Sequence, residues 1–319
     1  MSEIASFFPL SQFADTSLPL VICLGNFDGV HLGHARLIEN TLEIKEKLNK
    51  MGRKVNAGAL CFDSLPSEYL SGTPTPRLMS VEQKLDTFKR MGLDCAYVFK
   101  FSSIMDLSPQ EFIRNILRER CNCLGVVCGF NFRFGKNAVG NANLLASYFD
   151  KDTAAIVPPV MLDGEIISSS RIRELLLTGN VEKANEMLGR KFSIPHKVVH
   201  GKHIGSTLGF PTLNHCFDPH DVIPKHGIYV TETLISGEKH VSVTNIGVRP
   251  TVSDTGTITC ETHIIGLEGQ ERDFYGQKAN ILFHSRIRDE RKFDTYEQLS
   301  SAIAADIETA INYFKTSPK

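Results

Sequence analysis

One feature strongly restricts the fold of this chain: an apolar segment runs directly into a glycine-containing turn and then into a periodic helix. The apolar segment covers residues 18–24, and the turn reads G-N-F-D-G-V-H-L-G-H over residues 25–34. Backbone N–H groups at a helix start, together with the helix dipole, attract anions. This order of elements predicts a buried strand, a tight turn and an anion-binding helix N-terminus.

Two histidines stand at this helix start, His31 and His34. Residues three apart on a helix share a face, so both imidazoles can reach one bound phosphate. An H-x-G-H in this setting looks like that of a nucleotidyltransferase, in which histidines stabilise the charge that develops as pyrophosphate leaves. The alternatives are polar helix caps or two zinc ligands, but no Cys, Asp or Glu completes a zinc set at familiar spacing. The strand before and the helix after favour phosphate.

Composition excludes several classes of protein. The 319 residues suffice for about two domains. The 35 Lys and Arg against 36 Asp and Glu argue against a chain built mainly to bind nucleic acid. No apolar run approaches the roughly 20 residues that a membrane helix needs, and residues 1–10 do not read as a signal peptide. We therefore expect a cytoplasmic protein with neither nucleic acid nor membrane as a partner.

The eight cysteines have irregular spacing, which in the cytoplasm indicates reduced thiols rather than a disulfide framework. Cys121, Cys123 and Cys128 cluster, a weak suggestion of a metal site. Because they stand in an apolar stretch, buried packing is the favoured interpretation.

The first half of the chain alternates between strands and helices. Strands are predicted at residues 20–24, 55–62, 95–99, 124–128 and 154–157, and helices at 34–51, from Ser80 to about residue 91, and from Ser108. Ser80 with Gln83, and Ser108 with Pro109 and Glu111, have the pattern of helix caps. This alternation predicts an α/β domain whose parallel sheet is covered by helices on both faces, with ligands beyond the carboxyl ends of its strands.

Two short helices, at 169–177 and 181–188, separate this half from a second one of different character. Strand-like segments then follow one another at 197–200, 228–235, 240–246, 257–265 and 279–284, and one amphipathic helix covers residues 295–314. The pattern predicts an all-β barrel or sandwich with a terminal helix. We place the domains at residues 1–187 and 188–319.

Two further motifs in the first half suit phosphate chemistry. Residues 129–136, G-F-N-F-R-F-G-K, follow the fourth strand and combine three phenylalanines with Arg133 and Lys136. Residues 168–174, S-S-S-R-I-R-E, begin a helix with serine caps and two arginines, Arg171 and Arg173. The plain alternatives are phenylalanines that plug the end of the sheet and an ordinary helix start with solvated arginines.

The second half contains a glycine-rich segment and a strand carboxylate. Gly201, Gly205 and Gly209 let a loop approach phosphates closely. Thr212 and Asn214 are oxygen donors two residues apart, so in an extended segment both face one side and can share a Mg²⁺. Glu261 stands within an apolar strand, where it can accept the proton of a hydroxyl during phosphorylation. The alternative for Glu261 is a surface ion pair with Arg249 or Arg288.

Together the motifs resemble the bacterial bifunctional riboflavin kinase/FAD synthetase family over nearly the whole chain. The first half resembles its FMN adenylyltransferase domain through residues 25–34, 129–135 and 168–174. The second half resembles its riboflavin kinase domain through L-G-F-P-T-L-N at 208–214, N-I-G-V-R-P-T at 245–251, E-T-H-I at 261–264, F-Y-G at 274–276 and R-D-E-R-K-F at 288–293. The resemblance implies a Rossmann-like nucleotidyltransferase domain followed by an antiparallel kinase barrel with a terminal helix.

The resemblance also implies the reactions and their residues. Riboflavin is phosphorylated by ATP to FMN, and FMN then receives an adenylyl group from ATP to give FAD and pyrophosphate, with Mg²⁺ as cofactor. His31 and His34 act in adenylyl transfer, and Glu261 is the kinase base. The other adenylyltransferase residues bind ATP (Gly25, Asn26, Phe27, Asp28, Gly33, Ser169, Ser170, Arg173) or the flavin nucleotide (Asn131, Phe132, Arg133). The other kinase residues bind ATP (Gly201, Gly205, Gly209, Pro211), Mg²⁺ with ATP (Thr212, Asn214) or flavin (Arg288).

The chain departs from the family in a few places. Residues 62–66, F-D-S-L-P, stand where F-x-P-H-P is usual and lack its histidine, while Leu213 and Ser206 replace an alanine and an arginine. One alternative is therefore a riboflavin kinase whose adenylyltransferase is weak or inactive. Two others are a cytidylyltransferase-like enzyme, against which the kinase motifs argue, and a non-catalytic flavin-binding regulator, against which the retained site residues argue. Whether the chain forms a homo-oligomer is left open.

Overall fold

The computed structural model describes residues 5–11, 15, 17–199, 209–249, 257–267 and 274–316. Internal contacts divide the chain into two compact units, Met1–Ser169 and Ser170–Lys319. The predicted boundary at 187/188 lies later, and the helices at 169–178 and 181–188 fall between the two positions.

A six-stranded sheet forms the first unit, in the order β1-β4-β3-β2-β5-β8. Five strands run parallel, as predicted, and β1 pairs with β4 in the antiparallel direction at the edge. β1 was not among the predicted strands. The strands are β1 (Ala5–Pro9), β2 (Leu20–Leu24), β3 (Asn56–Phe62), β4 (Cys95–Phe99), β5 (Cys123–Gly129) and β8 (Ala154–Val157), with two short ribbons, β6 (Arg133–Phe134) with β7 (Gly140–Asn141) and β9 (Met161–Leu162) with β10 (Glu165–Ile166).

Helices of the first unit begin where cap residues predict. Ser80 and Ser108 each form a capping box, with Gln83 and Glu111 respectively. The second of these helices continues as a π-helix over Phe112–Arg120. The helices are α1 (Leu32–Lys50), α2 (Pro66–Ser71), α3 (Val81–Arg90), α4 (Pro109–Glu111) and α5 (Ala142–Ala146).

The sheet is buried on both faces, each with its own hydrophobic cluster. Cys121, Cys123 and Cys128 are part of one of these clusters. Burial raises the pKa of Cys121 and Cys128 to about 12. All three thiols are buried among the apolar side chains of that cluster, so the packing interpretation of these cysteines is confirmed.

A closed six-stranded barrel forms the second unit, in the order β11-β12-β15-β14-β13-β16. The barrel alternative is therefore correct and the sandwich is not. Two helices, α6 (Ser169–Thr178) and α7 (Val181–Leu188), precede the barrel, and α8 (Tyr296–Thr316) follows it. Its strands are β11 (Phe192–Val199), β12 (Thr212–His215), β13 (Gly227–Ile235), β14 (Glu238–Arg249), β15 (Thr257–Ile264) and β16 (Lys278–Arg288).

The two faces of the barrel wall differ in chemistry. On the outer face Val230 and Val243 pack against Ala310 of α8. The inner face carries a chain of fully buried hydroxyls, joined by hydrogen bonds of 2.8–3.0 Å from Thr233 through Ser242, Thr231 and Thr244 to Thr262. Ser242, Thr231 and Thr244 each have two hydroxyl partners, so each can donate to one and accept from the other, and the chain satisfies polar groups that would be costly to bury alone.

Candidate active sites

The turn that follows β2 is held in a strained conformation by buried contacts. Phe27 and Val30 have φ of 51° and 35°, a region unfavourable for a β-branched residue such as Val30. The Asp28 carboxylate accepts a hydrogen bond from the backbone N–H of Leu78 at 2.9 Å, and its carbonyl accepts one from Ser169 Oγ at 2.8 Å. Strain of this kind concentrates at functional sites, where surrounding contacts enforce it.

The structure brings His31 and His34 together. His31 is the N-cap of α1, since its Nδ1 accepts a hydrogen bond from the backbone N–H of His34 at 3.3 Å. The two imidazole rings stack with centroids 3.7 Å apart and planes at 19°. A neutral His31 whose Nδ1 accepts must carry its proton on Nε2. His31 thus caps α1 through Nδ1 and has a hydrogen-bond donor at Nε2.

Gly33 and Phe27 shape the space around the stacked rings. A Cβ at Gly33 would lie 3.1 Å from Cε1 and Nδ1 of His31, so glycine lets that ring fold back over the helix start without being displaced. Phe27 is fully buried, and its ring lies 5.0 Å from the His34 ring and 5.1 Å from the Phe88 ring. The His34 ring therefore packs against Phe27, which in turn packs against Phe88.

The loop after β5 leaves the sheet at the same edge as the histidine turn. This follows from the parallel register, in which Leu24 of β2 lies opposite Cys128 of β5. The phenylalanines of this loop have different roles: Phe134 is buried and stacks on Phe132 with centroids 5.8 Å apart, whereas Phe130 is exposed. Asn131 and Arg133 are also exposed. The loop plugs the sheet with the buried Phe134 ring, as the plain alternative predicts, and exposes polar groups beside it. Nucleotide binding by those groups stays a prediction.

The serine-rich motif is split between the two units. Ser169 belongs to the first unit and bonds to the histidine turn, as described above. Ser170 and Arg173 belong to the second unit, in which Arg173 Nη1 lies 3.5 Å from Ser170 Oγ.

In the second unit, strand register brings three polar side chains into one row. Asn214 of β12 lies opposite Glu261 of β15, and Glu261 lies opposite Asn245 of β14. Side chains directly opposite one another share a face of the sheet; we call these three the Glu261 row. Val243, two residues before Asn245, faces α8, which places the row on the outer face of the barrel.

The surroundings of the row fit a polar ligand. Thr212 lies on the same face of β12 as Asn214, and the carbonyl of the preceding Pro211 lies 2.9 Å from His263 Nδ1. The Oδ1 atom of Asn245 is buried and has no hydrogen-bond partner among the described residues. A buried, unpaired amide oxygen is costly. The row therefore contains an acceptor that a ligand would satisfy.

Arg288 forms an ion pair with the Asp306 carboxylate rather than with Glu261. Its Nε and Nη2 donate to the two oxygens of Asp306 on α8, at 2.9 and 2.6 Å. Arg288 is therefore not the ion-pair partner of Glu261. The side chain of Arg249, the other alternative partner, lies outside the described residues, as do Gly201 and Gly205 of the glycine-rich segment. Gly209 is exposed with φ of 84°.

Comparison with known proteins assigns both halves. A family model for FAD synthetase matches residues 14–171, and one for riboflavin kinase matches residues 188–314. A bifunctional riboflavin kinase/FMN adenylyltransferase of Listeria monocytogenes is 32% identical over 319 residues, 98% of each chain. This chain belongs to that family. A second bifunctional relative, from Bacillus subtilis, is 32% identical over 298 residues, 92% of each chain.

One solved structure has the same fold as nearly the whole of this chain. It is a crystal structure described as a macrolide-efflux protein from Streptococcus pneumoniae, with a TM-score of 0.81 and 29% sequence identity, and it covers 95% of this chain and 97% of that one. The predicted family, fold class and two-step enzymatic function are thus confirmed. Within the described part of the chain, no helix is both long and apolar enough to cross a membrane.

Two residues near these sites, Asn245 and Lys84, were not predicted individually from the sequence. Asn245 was seen only as part of a motif, because its position beside Glu261 depends on the β14–β15 register. Lys84 lies in α3 and donates to the carbonyls of Asn26 and Phe62 at 2.9 and 3.3 Å. A signal for Lys84 was present: with Val81, Leu85 and Phe88 it occupies the i, i+3, i+4, i+7 stripe that normally faces a core.

Proposed function

We propose that adenylyl transfer from ATP to FMN takes place at the turn after β2, and that riboflavin is phosphorylated at the Glu261 row. The observation that carries the proposal is the row itself, in which a half-buried carboxylate lies between two amide side chains on the outer face of the barrel. The first unit supplies the complementary observation, two stacked imidazoles at a helix N-terminus.

In the kinase step, Glu261 accepts the proton of the riboflavin 5′-hydroxyl. The hydroxyl oxygen bonds to the γ-phosphorus of ATP as the bond from that phosphorus to the bridging oxygen breaks, which gives FMN and ADP. A half-buried carboxylate suits this role because it lies in hydrogen-bond reach of a bound alcohol while solvent is partly excluded. Asn245, whose Oδ1 has no hydrogen-bond partner in the described part of the chain, orients a donor of the substrate or nucleotide beside Glu261.

Thr212 and Asn214 fit the requirements of Mg²⁺. They offer a hydroxyl and an amide oxygen from one face of β12, and such hard oxygen donors are the ligands that Mg²⁺ takes when it also binds phosphate. When bound, Mg²⁺ would neutralise charge on the transferred phosphoryl group. Asn214 lies opposite Glu261 in the row, so the residues that would hold Mg²⁺ and the residue that would act as base lie on neighbouring strands of one face.

In the adenylyl step, a phosphate oxygen of FMN bonds to the α-phosphorus of a second ATP, and the bond to the β-phosphate oxygen breaks to release pyrophosphate. His31 Nε2–H and His34 donate to the phosphate oxygens on which charge develops. The backbone N–H groups at the start of α1 add to the same field. Asn131, Phe132 and Arg133 line the sheet edge at which we place the FMN, and Ser169, through Asp28, fixes the turn.

Arg288 contributes to flavin binding indirectly in this proposal. Since its guanidinium is held by Asp306, it positions the segment after β16 rather than reaching for the flavin with an uncommitted charge. Both reactions use small-molecule substrates, consistent with a cytoplasmic enzyme.

A second candidate is a riboflavin kinase with little adenylyltransferase activity. It is favoured by the segment after β3, where Leu65 is buried and Pro66 begins α2, so that no imidazole stands between residues 62 and 66. The two candidates differ in whether the chain converts supplied FMN to FAD.

The experiment is chromatographic separation of flavins after incubation of the full chain with Mg·ATP and either riboflavin or FMN. We expect riboflavin to give FMN and then FAD, and FMN to give FAD directly. Glu261→Gln should abolish FMN formation but leave the conversion of FMN to FAD, and the double variant His31→Ala, His34→Ala should do the reverse. Loss of both activities in both folded variants would contradict the two-site assignment.

A further inference from the structure

We propose that Lys84 is a positioning residue of the adenylyltransferase site, whose buried ammonium is balanced by the phosphates of bound ATP. The inference rests on the proposed location of adenylyl transfer at the turn after β2. Lys84 is only 5% exposed, and its Nζ donates to the carbonyl oxygens of Asn26 and Phe62 at 2.9 and 3.3 Å. These two contacts place the charge against the backbone at the start of the turn that carries His31.

Within the described part of the chain, the Lys84 ammonium has hydrogen-bonding partners but no counter-charge. Among the described residues no carboxylate forms an ion pair with it; Asp63, next to Phe62, accepts a hydrogen bond from Ser64 Oγ instead. Lys45 in the same unit shows the usual arrangement, with its Nζ 2.6 Å from the Asp94 carboxylate. Burying an ion costs free energy unless an opposite charge compensates.

A bound polyphosphate supplies that opposite charge. Carbonyl oxygens solvate an ammonium but carry no net charge, and a lysine ammonium has three donors, of which the two carbonyls use two. An anion at the helix start of α1 therefore meets a field from three sources: the helix N-terminus, the histidines and Lys84. The ammonium need not touch the phosphate to act, since Coulomb attraction in a poorly solvated site extends over several ångströms.

The same contacts fix the geometry of the turn. Asn26 follows β2 and Phe62 ends β3, and these strands are parallel neighbours with Leu24 opposite Leu60. Lys84 joins the carboxyl ends of both strands through one ammonium group. It therefore holds the start of the histidine turn at a fixed distance from the neighbouring strand, where the segment 63–65 offers no imidazole.

The test compares three variants in the conversion of supplied FMN to FAD, a reaction that does not need the kinase step. Lys84→Met removes both the charge and the hydrogen bonds, and Lys84→Gln removes the charge while keeping an N–H donor. Lys45→Met is the matched control, the same substitution at a lysine that has a carboxylate partner. The readouts are KM for ATP, kcat, and the dependence of KM on ionic strength. KM does not depend on the folded fraction, so it stays informative for a destabilised variant.

We expect both Lys84 variants to raise KM for ATP by about tenfold or more, the loss typical of a charged hydrogen-bonding partner, and to weaken the salt dependence of KM. Lys45→Met should lower thermal stability with KM within about twofold of the wild type, as its charge is already paired. A wild-type KM in Lys84→Gln would overturn the proposal, since the charge would then be irrelevant. Persistence of FAD formation in the His31→Ala, His34→Ala variant would instead refute the location of the site.

Discussion

Two buried histidines in the barrel make its stability dependent on pH. His196 of β11 and His215 of β12 lie on the inner face, where burial lowers the pKa of each to about 4. Coulomb repulsion from His196 further lowers the pKa of His215. Asp218 acts in the opposite direction on His196, and the carboxylate of Asp221 lies 3.6 Å from His196 Nε2, too far for a hydrogen bond.

The direction of the effect follows from the pKa difference. In the unfolded chain both imidazoles have the ordinary pKa of 6.5, so below that pH the unfolded state binds protons that the folded state refuses. The contribution of these two histidines to the free energy of unfolding is fully present above pH 6.5. It falls as the pH drops towards 4 and levels off below that pH. Because of this pKa difference, lowering the pH from 7 to 5 reduces the free energy of unfolding by about 2 kcal/mol for each histidine.

The assay is urea unfolding of the full chain at several pH values between 7 and 5, followed by a signal from the barrel such as its kinase activity. His215→Gln, which cannot titrate, should reduce the loss between pH 7 and pH 5 by about 2 kcal/mol. His220→Gln, at an exposed position, is the control and should leave the slope unchanged. An identical slope in His215→Gln and wild type would refute the assignment of the pH dependence to this buried ring.

Two further predictions concern single contacts in the barrel. Thr231→Val removes one of the two hydroxyl partners of both Ser242 and Thr244, which are buried, so we expect the free energy of unfolding in urea to fall by about 1–3 kcal/mol; a smaller change would mean that the hydroxyl chain re-forms around the valine. Gly247→Ala places a Cβ 2.0 Å from Glu290 Oε1, which must swing away beside the Glu261 row. We expect slower riboflavin phosphorylation at nearly unchanged thermal stability, and an unchanged rate would show that Glu290 has no influence there.

Local signals predicted the first unit well. Cys95–Phe99 and Ala154–Val157 were placed correctly to the residue, and the serine caps of two helices form as their sequence indicates. These elements are fixed by neighbours within a few positions, through apolar runs and side-chain-to-backbone hydrogen bonds. The histidine turn belongs to the same category, because strand, turn and helix are consecutive.

Short strands held by distant partners were harder to predict. Ala5–Pro9 is an edge strand, and Thr212–His215 has only four residues, so neither has a long periodic pattern. Each is a strand because of a partner far along the chain, β4 in one case and β15 in the other. Phe192–Val199 likewise begins five residues before the predicted start, where it pairs with β16.

At the proposed kinase site, the sequence motifs identify the residue types, whereas the pairing of distant strands determines which of them are neighbours. Alternation along β12 was enough to put Thr212 and Asn214 on one face, because that rule is local. Which residues lie opposite them depends on register, and a shift of one position would turn Asn245 to the inner face. The pairing that joins Asn214, Glu261 and Asn245 spans three strands. The motifs therefore indicate which residue types are present for phosphoryl transfer, and the closure of the barrel determines that they meet.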